Sequence, residues 1–158
     1  MKVSHIRSRA IAIVCVLAWS VVVHASDIQV GTWKADVAKS TFSPGPPIKA
    51  QLSKIEPVEN GIKLVSDRTN NDGSVTHIAY TVKYDGKDYP VAGDPGRDAV
   101  SSKRIDDFTI ETLSKKGGKV TTTLRIAYAH DGQSRTETAT GTDPQGRPIK
   151  NVVFWNKQ

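Results

Sequence analysis

Residues 74–92 read Ser-Val-Thr-His-Ile-Ala-Tyr-Thr-Val-Lys-Tyr-Asp-Gly-Lys-Asp-Tyr-Pro-Val-Ala. Ile78, Tyr80, Val82 and Tyr84 fall on every second position, with His77, Ala79, Thr81 and Lys83 between them. Successive side chains of a β-strand point to opposite faces, so this spacing predicts a strand with one packed and one wet face. Asp85-Gly86 follows at once. Tight hairpin turns need positive φ at their centre, and Gly adopts it without strain.

The same grammar extends in both directions. Val120, Thr122, Leu124, Ile126 and Tyr128 share one face, and Phe108 and Ile110 alternate with Thr109 and Glu111. Turn signals recur at Asn60-Gly61, Asn71-Asp72-Gly73, Gly93-Asp94-Pro95-Gly96, Lys116-Gly117-Gly118, Asp131-Gly132 and Asp143-Pro144-Gln145-Gly146. Strands are predicted over 28–35, 48–57, 61–69, 74–84, 87–92, 98–105, 107–114, 118–129, 133–141 and 148–156. No long window carries a helical period, and residues 35–40 hold one helical turn at most. The fold class is therefore all-β: an up-and-down antiparallel meander that closes into a barrel of 8–10 strands. Closure removes the exposed strand edges that invite aggregation. Residues 41–49 contain Pro44, Pro46 and Pro47, which cannot donate to a ladder. They form a loop past one open end, as a lid or as a plain connector.

The start of the chain has another character. Lys2, Arg7 and Arg9 precede an apolar run over residues 10–23, and Val23-His24-Ala25 supplies small or compact residues for cleavage. This is the pattern of a secretory signal peptide, residues 1–25, leaving a single domain over residues 26–158 in a secreted or periplasmic location. The full chain of 158 residues has 22 basic and 16 acidic side chains, a net charge of +6. Removing Lys2, Arg7 and Arg9 leaves 19 against 16, which gives no argument for nucleic acid. Cys15 leaves with the same segment, so no disulfide is available and the core alone must stabilise the fold. After cleavage no segment resembles a membrane span.

Gly31-Thr32-Trp33-Lys34 on the first strand and Val152-Val153-Phe154-Trp155-Asn156-Lys157 at the end carry a resemblance. A Gly-X-Trp followed by an all-β meander resembles the calycins, the lipocalin and fatty-acid-binding-protein superfamily. The nearest likeness is to small secreted lipocalin-like proteins of bacteria, through residues 31–47, 83–91 and 151–158. The resemblance implies a lipocalin-like barrel whose first-strand Trp plugs the closed end. Fatty-acid-binding proteins hold a ligand carboxylate with an Arg-X-Tyr on the last strand. Here Val153 and Trp155 stand at those positions, so that clamp is missing.

Catalytic patterns are not recognisable. There is no Gly-X-Ser-X-Gly, no Cys nucleophile after cleavage, and Lys116-Gly117-Gly118-Lys119 sits between strands rather than opening a helix. His77 and His130 lie on separate segments and make no zinc pattern, and Asp94, Asp98, Asp106 and Asp107 sit in turns without calcium-loop spacing. The chain is expected not to be an enzyme, with no catalytic residue, metal or cofactor. Interest falls on the interior, which side chains or a ligand must fill. Ile78, Tyr80, Val82, Tyr84, Leu124, Ile126 and Tyr128 are the candidate inward ligand-binding residues, and Arg104, in phase with Val100 and Ser102, is the candidate anchor for an anionic head group. Ser134, Thr136 and Thr138 are taken as the short inward side chains that leave space. The expected partner is a small, mostly apolar molecule inside the barrel. The alternative is a structural or protein-interaction barrel with a filled core and no ligand.

Overall fold

The computed structural model describes residues 27–143 and 146–158. The expected signal peptide, residues 1–25, lies outside the described residues, as do Pro144 and Gln145 of one expected turn. Among the described residues every regular element is a strand: β1 (Gly31–Thr41), β2 (Ala50–Val58), β3 (Gly61–Thr69), β4 (Val75–Lys83), β5 (Tyr89–Ala92), β6 (Ala99–Asp106), β7 (Thr109–Lys116), β8 (Lys119–Tyr128), β9 (Ser134–Thr142) and β10 (Pro148–Lys157). Each pairs antiparallel with its sequence neighbours, and β1 pairs with β10 to close the barrel. No helix among the described residues is long and apolar enough to cross a membrane.

Register fixes which side chains point inward, because residues directly opposite across a ladder share a face. Ile62, Leu64 and Ser66 of β3 face Val82, Tyr80 and Ile78 of β4. Leu124, Ile126 and Tyr128 of β8 face Ala139, Glu137 and Arg135 of β9. The second set corrects the expected face of β9: Arg135 and Glu137 point inward, and Ser134, Thr136 and Thr138 do not. Alternating charged and hydroxyl residues carry the right period but not the phase. The apolar neighbours on β8 decide it.

A second correction concerns β1. It starts at Gly31 and continues to Thr41, where a helical turn at most was expected. Its pairing with β10 passes from Asp36↔Phe154 to Thr41↔Val152, so five steps on β1 match two on β10. This bulge is held by the Asp36 carboxylate, which accepts from the Lys39 amide at 3.2 Å, and by Ser40 Oγ, which donates to the Asp36 carbonyl at 2.7 Å and accepts from the Phe154 amide at 3.1 Å. Local side-chain bonds of this kind compete with a regular ladder and allow the strand to bend.

One end of the barrel is filled. Trp33 has no solvent exposure, and its Nε1–H donates to the Gln29 carbonyl at 2.8 Å. Its ring meets Tyr128 edge-on at 5.5 Å. The Arg135 guanidinium lies 4.6 Å from the Trp155 ring centre and 5.0 Å from Trp33, and Nη1 donates to the Tyr128 hydroxyl at 3.1 Å. A buried aromatic removes roughly 150–250 Å² from water, a gross gain of about 4–6 kcal/mol per ring at about 25 cal/mol per Å². The stack of Trp33, Arg135, Trp155 and Tyr128 closes this end, as the resemblance implied for Trp33.

Candidate ligand site at the open end of the barrel

Away from the aromatic plug the interior opens in two steps. An enclosed space of about 50 Å³ sits at mid-height, and a mouth of about 340 Å³ lies above it. The two share Gln51, Ile78, Arg97, Leu124 and Glu137 as walls. The enclosed space has room for a few waters, at roughly 10–15 Å³ each. The mouth falls within the roughly 300–1,000 Å³ of small-molecule pockets. The open half of the barrel is thus the part with room for a ligand. Inside the barrel, where either a ligand space or a filled core was expected, there is a narrow space under that mouth.

Ile78, Tyr80, Val82, Tyr84, Leu124, Ile126 and Tyr128 all line the enclosed space, and of these Ile78 and Leu124 also reach the mouth. Tyr84 donates its hydroxyl to Gln29 Oε1 at 2.9 Å, and Tyr128 accepts from Arg135, so both are committed to the closed end. Tyr80 has no hydrogen-bond partner among the described residues and lies under Arg97, with the guanidinium 5.6 Å from its ring centre. Burial pushes the Tyr80, Tyr84 and Tyr128 phenols above their usual range, because the phenolate form would lose its hydration.

Arg104 is placed elsewhere. Its guanidinium covers the Tyr84 ring at 4.9 Å and its Nη2 donates to Asp27 Oδ2 at 2.9 Å, at the closed end. It lines neither the enclosed space nor the mouth. Val100 and Ser102 are buried, as is Ser101 between them. The last residues of β6, however, run past the plug to the rim.

The mouth has a polar side that the sequence reading missed. Arg97 Nε lies 3.1 Å from Asp94 Oδ2, Arg97 Nη1 donates to Ser114 Oγ at 3.2 Å, and Arg68 Nη2 lies 3.9 Å from Asp94 Oδ1. Asp94 and Arg97 belong to the connection between β5 and β6, where the sequence predicts a turn over 93–96 and no calcium-loop spacing at Asp94. The turn is tied down by Gly93: with φ at 78°, a Cβ there would run into the His77 carbonyl oxygen. Glu137, from the misphased β9, lines both spaces. Phe42, Pro44, Pro46 and Ile48 of the Pro-rich loop form an apolar side of the mouth. Those four are proline or large apolar residues, a signal that a loop at a barrel end is also a wall.

Among the described residues, His77 and His130 lie apart from this site. His77 Nδ1 is 2.6 Å from Asp67 Oδ1 on the outer surface, and His130 packs on Phe108 at 4.1 Å between ring centres.

No family model matches the chain, and no curated protein matches it. Among solved structures the chain is similar to the S-type phycobiliprotein lyase CPES from Guillardia theta, with a TM-score of 0.52 at 10% identity, covering 83% of this chain and 89% of that one. Together with the closed ten-strand meander, this likeness shows a lipocalin-like barrel fold. It also corrects the expectation that the chain is not an enzyme. The neighbour is titled a lyase, so a barrel of this kind is compatible with catalysis and a missing nucleophile motif is no ground for excluding it.

Proposed function

We propose that this protein is a secreted or periplasmic lipocalin-like protein that binds a small molecule at the open end of its barrel. The observation that carries the reading is the mouth of about 340 Å³, walled by Phe42, Pro46, Ile48, Leu124 and Val153 on its apolar side and by Arg68, Asp94 and Arg97 on its polar side. Apolar walls with a few fixed polar groups are the usual composition of a small-molecule site. The ligand is accordingly amphiphilic, with an apolar body against the Pro-rich loop and a polar group at the guanidinium side, rather than a long chain buried to mid-barrel. The location rests on the basic, apolar and small-residue pattern of residues 1–25.

One observation favours the alternative of a structural or interaction barrel, namely an enclosed space of only about 50 Å³. A single experiment separates the two. Native mass spectrometry of the protein purified from its own host is expected to show a bound small molecule that is lost in Leu124→Trp, whose indole would occupy the mouth. An empty wild-type protein that also ignores fluorescent apolar probes would rule out the binding reading.

A further inference from the structure

We propose that Glu137 is the anchoring residue of this site and that the ligand it takes is an organic amine. The inference rests on the reading of the mouth as a binding site and specifies its chemistry. Glu137 stands on the inward face of β9, opposite Ile126, where the enclosed space meets the mouth. Among the described residues its carboxylate has no ion-pair or hydrogen-bond partner. The neighbouring guanidinium groups have partners of their own, although the Nε–H of Arg97 and that of Arg135 are buried without a hydrogen-bond partner among the described residues. Arg97 is held by Asp94 and Ser114, and Arg135, two positions along the strand, is held by the aromatic rings and the Tyr128 hydroxyl at the closed end.

An ionised carboxylate accepts at two oxygens and donates nothing, so its complement is a group rich in N–H donors. Such a group gains most when charged, because charge-assisted bonds are roughly twice as strong as neutral ones. The rim above has the opposite bias, two guanidinium groups, Arg68 and Arg97, on the single carboxylate of Asp94. An ammonium group is therefore directed past the rim to Glu137, while the apolar body stays against Leu124, Val153 and the Pro-rich loop.

The test uses three probes with a common naphthyl body on the full mature protein by isothermal titration calorimetry: naphthylmethylamine, naphthylmethanol and naphthoate. Wild type is expected to bind the amine about tenfold tighter than the alcohol, a difference of about 1.4 kcal/mol, and the naphthoate more weakly than either. Glu137→Gln is expected to lose that tenfold preference, with thermal unfolding unchanged because no partner of Glu137 among the described residues is lost. Equal binding of amine and alcohol by wild type overturns the proposal but leaves the pocket standing. A preference that survives in Glu137→Gln overturns it too, as does an unfolded Glu137→Gln protein, which would make Glu137 a structural residue. Binding of none of the three probes removes the pocket itself and the proposal with it.

Discussion

Replacing Arg135 by Ala tests whether the closed end is held by a stacked cation. Arg135 is 4% exposed and has no carboxylate partner among the described residues. Its guanidinium is held by the Trp155 and Trp33 rings at 4.6 and 5.0 Å and by the Tyr128 hydroxyl at 3.1 Å. Desolvated cation–π contacts contribute about 0.5–2 kcal/mol each, so the two nearer rings supply about 2. A hydrogen bond involving a charged group contributes about 1.5–3 more. Removing a buried charge returns part of its desolvation cost, and Ala leaves a void between rings. The net expectation is a loss of about 3–4 kcal/mol, or about 10–15 °C in Tm for a domain of this size. Arg135→Met keeps the apolar volume and is expected to lose about 1–2 kcal/mol. Urea titration followed by tryptophan fluorescence reads both values, with an unchanged slope confirming a pure stability effect. A loss below about 1 kcal/mol in Arg135→Ala would show that desolvation cancels the stacking, and the account of the plug would be wrong.

Three further outcomes are expected. Gly93→Ala forces a Cβ toward the His77 carbonyl at a φ of 78°, and should lose at least about 2 kcal/mol by denaturant titration, whereas an unchanged midpoint would mean the turn over 93–98 is free to move. Asp94→Asn leaves Arg97 and Arg68 without their shared carboxylate and should cost about 2 kcal/mol, less than a fully buried pair because Arg68 is partly exposed; no loss would argue against the ion-pair geometry. At high pH, the tyrosines matter. Burial raises Tyr80, Tyr84 and Tyr128 above their unfolded value, so the folded chain holds protons that the unfolded chain releases above about pH 10. Stability is full below that value and falls as pH rises through it. Phenolate absorbance should appear together with loss of near-ultraviolet dichroism, and smooth titration of all tyrosines in a folded protein would contradict it.

The barrel was readable from residues 74–92 and their repeats because a half-buried strand writes its period of two directly into side-chain polarity. All ten strands were anticipated, most within two residues of their observed limits. The site was legible only where apolarity marks the inward face, as at Ile78, Tyr80, Leu124 and Ile126. On β9 the sequence alternates Arg135 and Glu137 with threonines, and polarity alone favours pointing the charges outward. The ladder to β8 reverses that choice, and aromatic rings contributed from β1, β8 and β10 make the buried Arg135 tolerable. Arg104 and Arg97 show the same gap. Each is near an inward phase, but Asp27 draws one to the closed end and Asp94 fixes the other at the mouth, and neither contact is local enough to read from spacing.

The most direct measurement is a methyl-resolved nuclear magnetic resonance titration with naphthylmethanol. The methyl groups of Ile48, Ile78, Leu124 and Val153 are expected to shift in a saturable way, while Ile55 and Ile62 beside the plug stay in place. Shifts confined to exposed methyls such as Leu52, Val65 or Val120, or no saturable shift at all, would contradict a binding site at the barrel mouth.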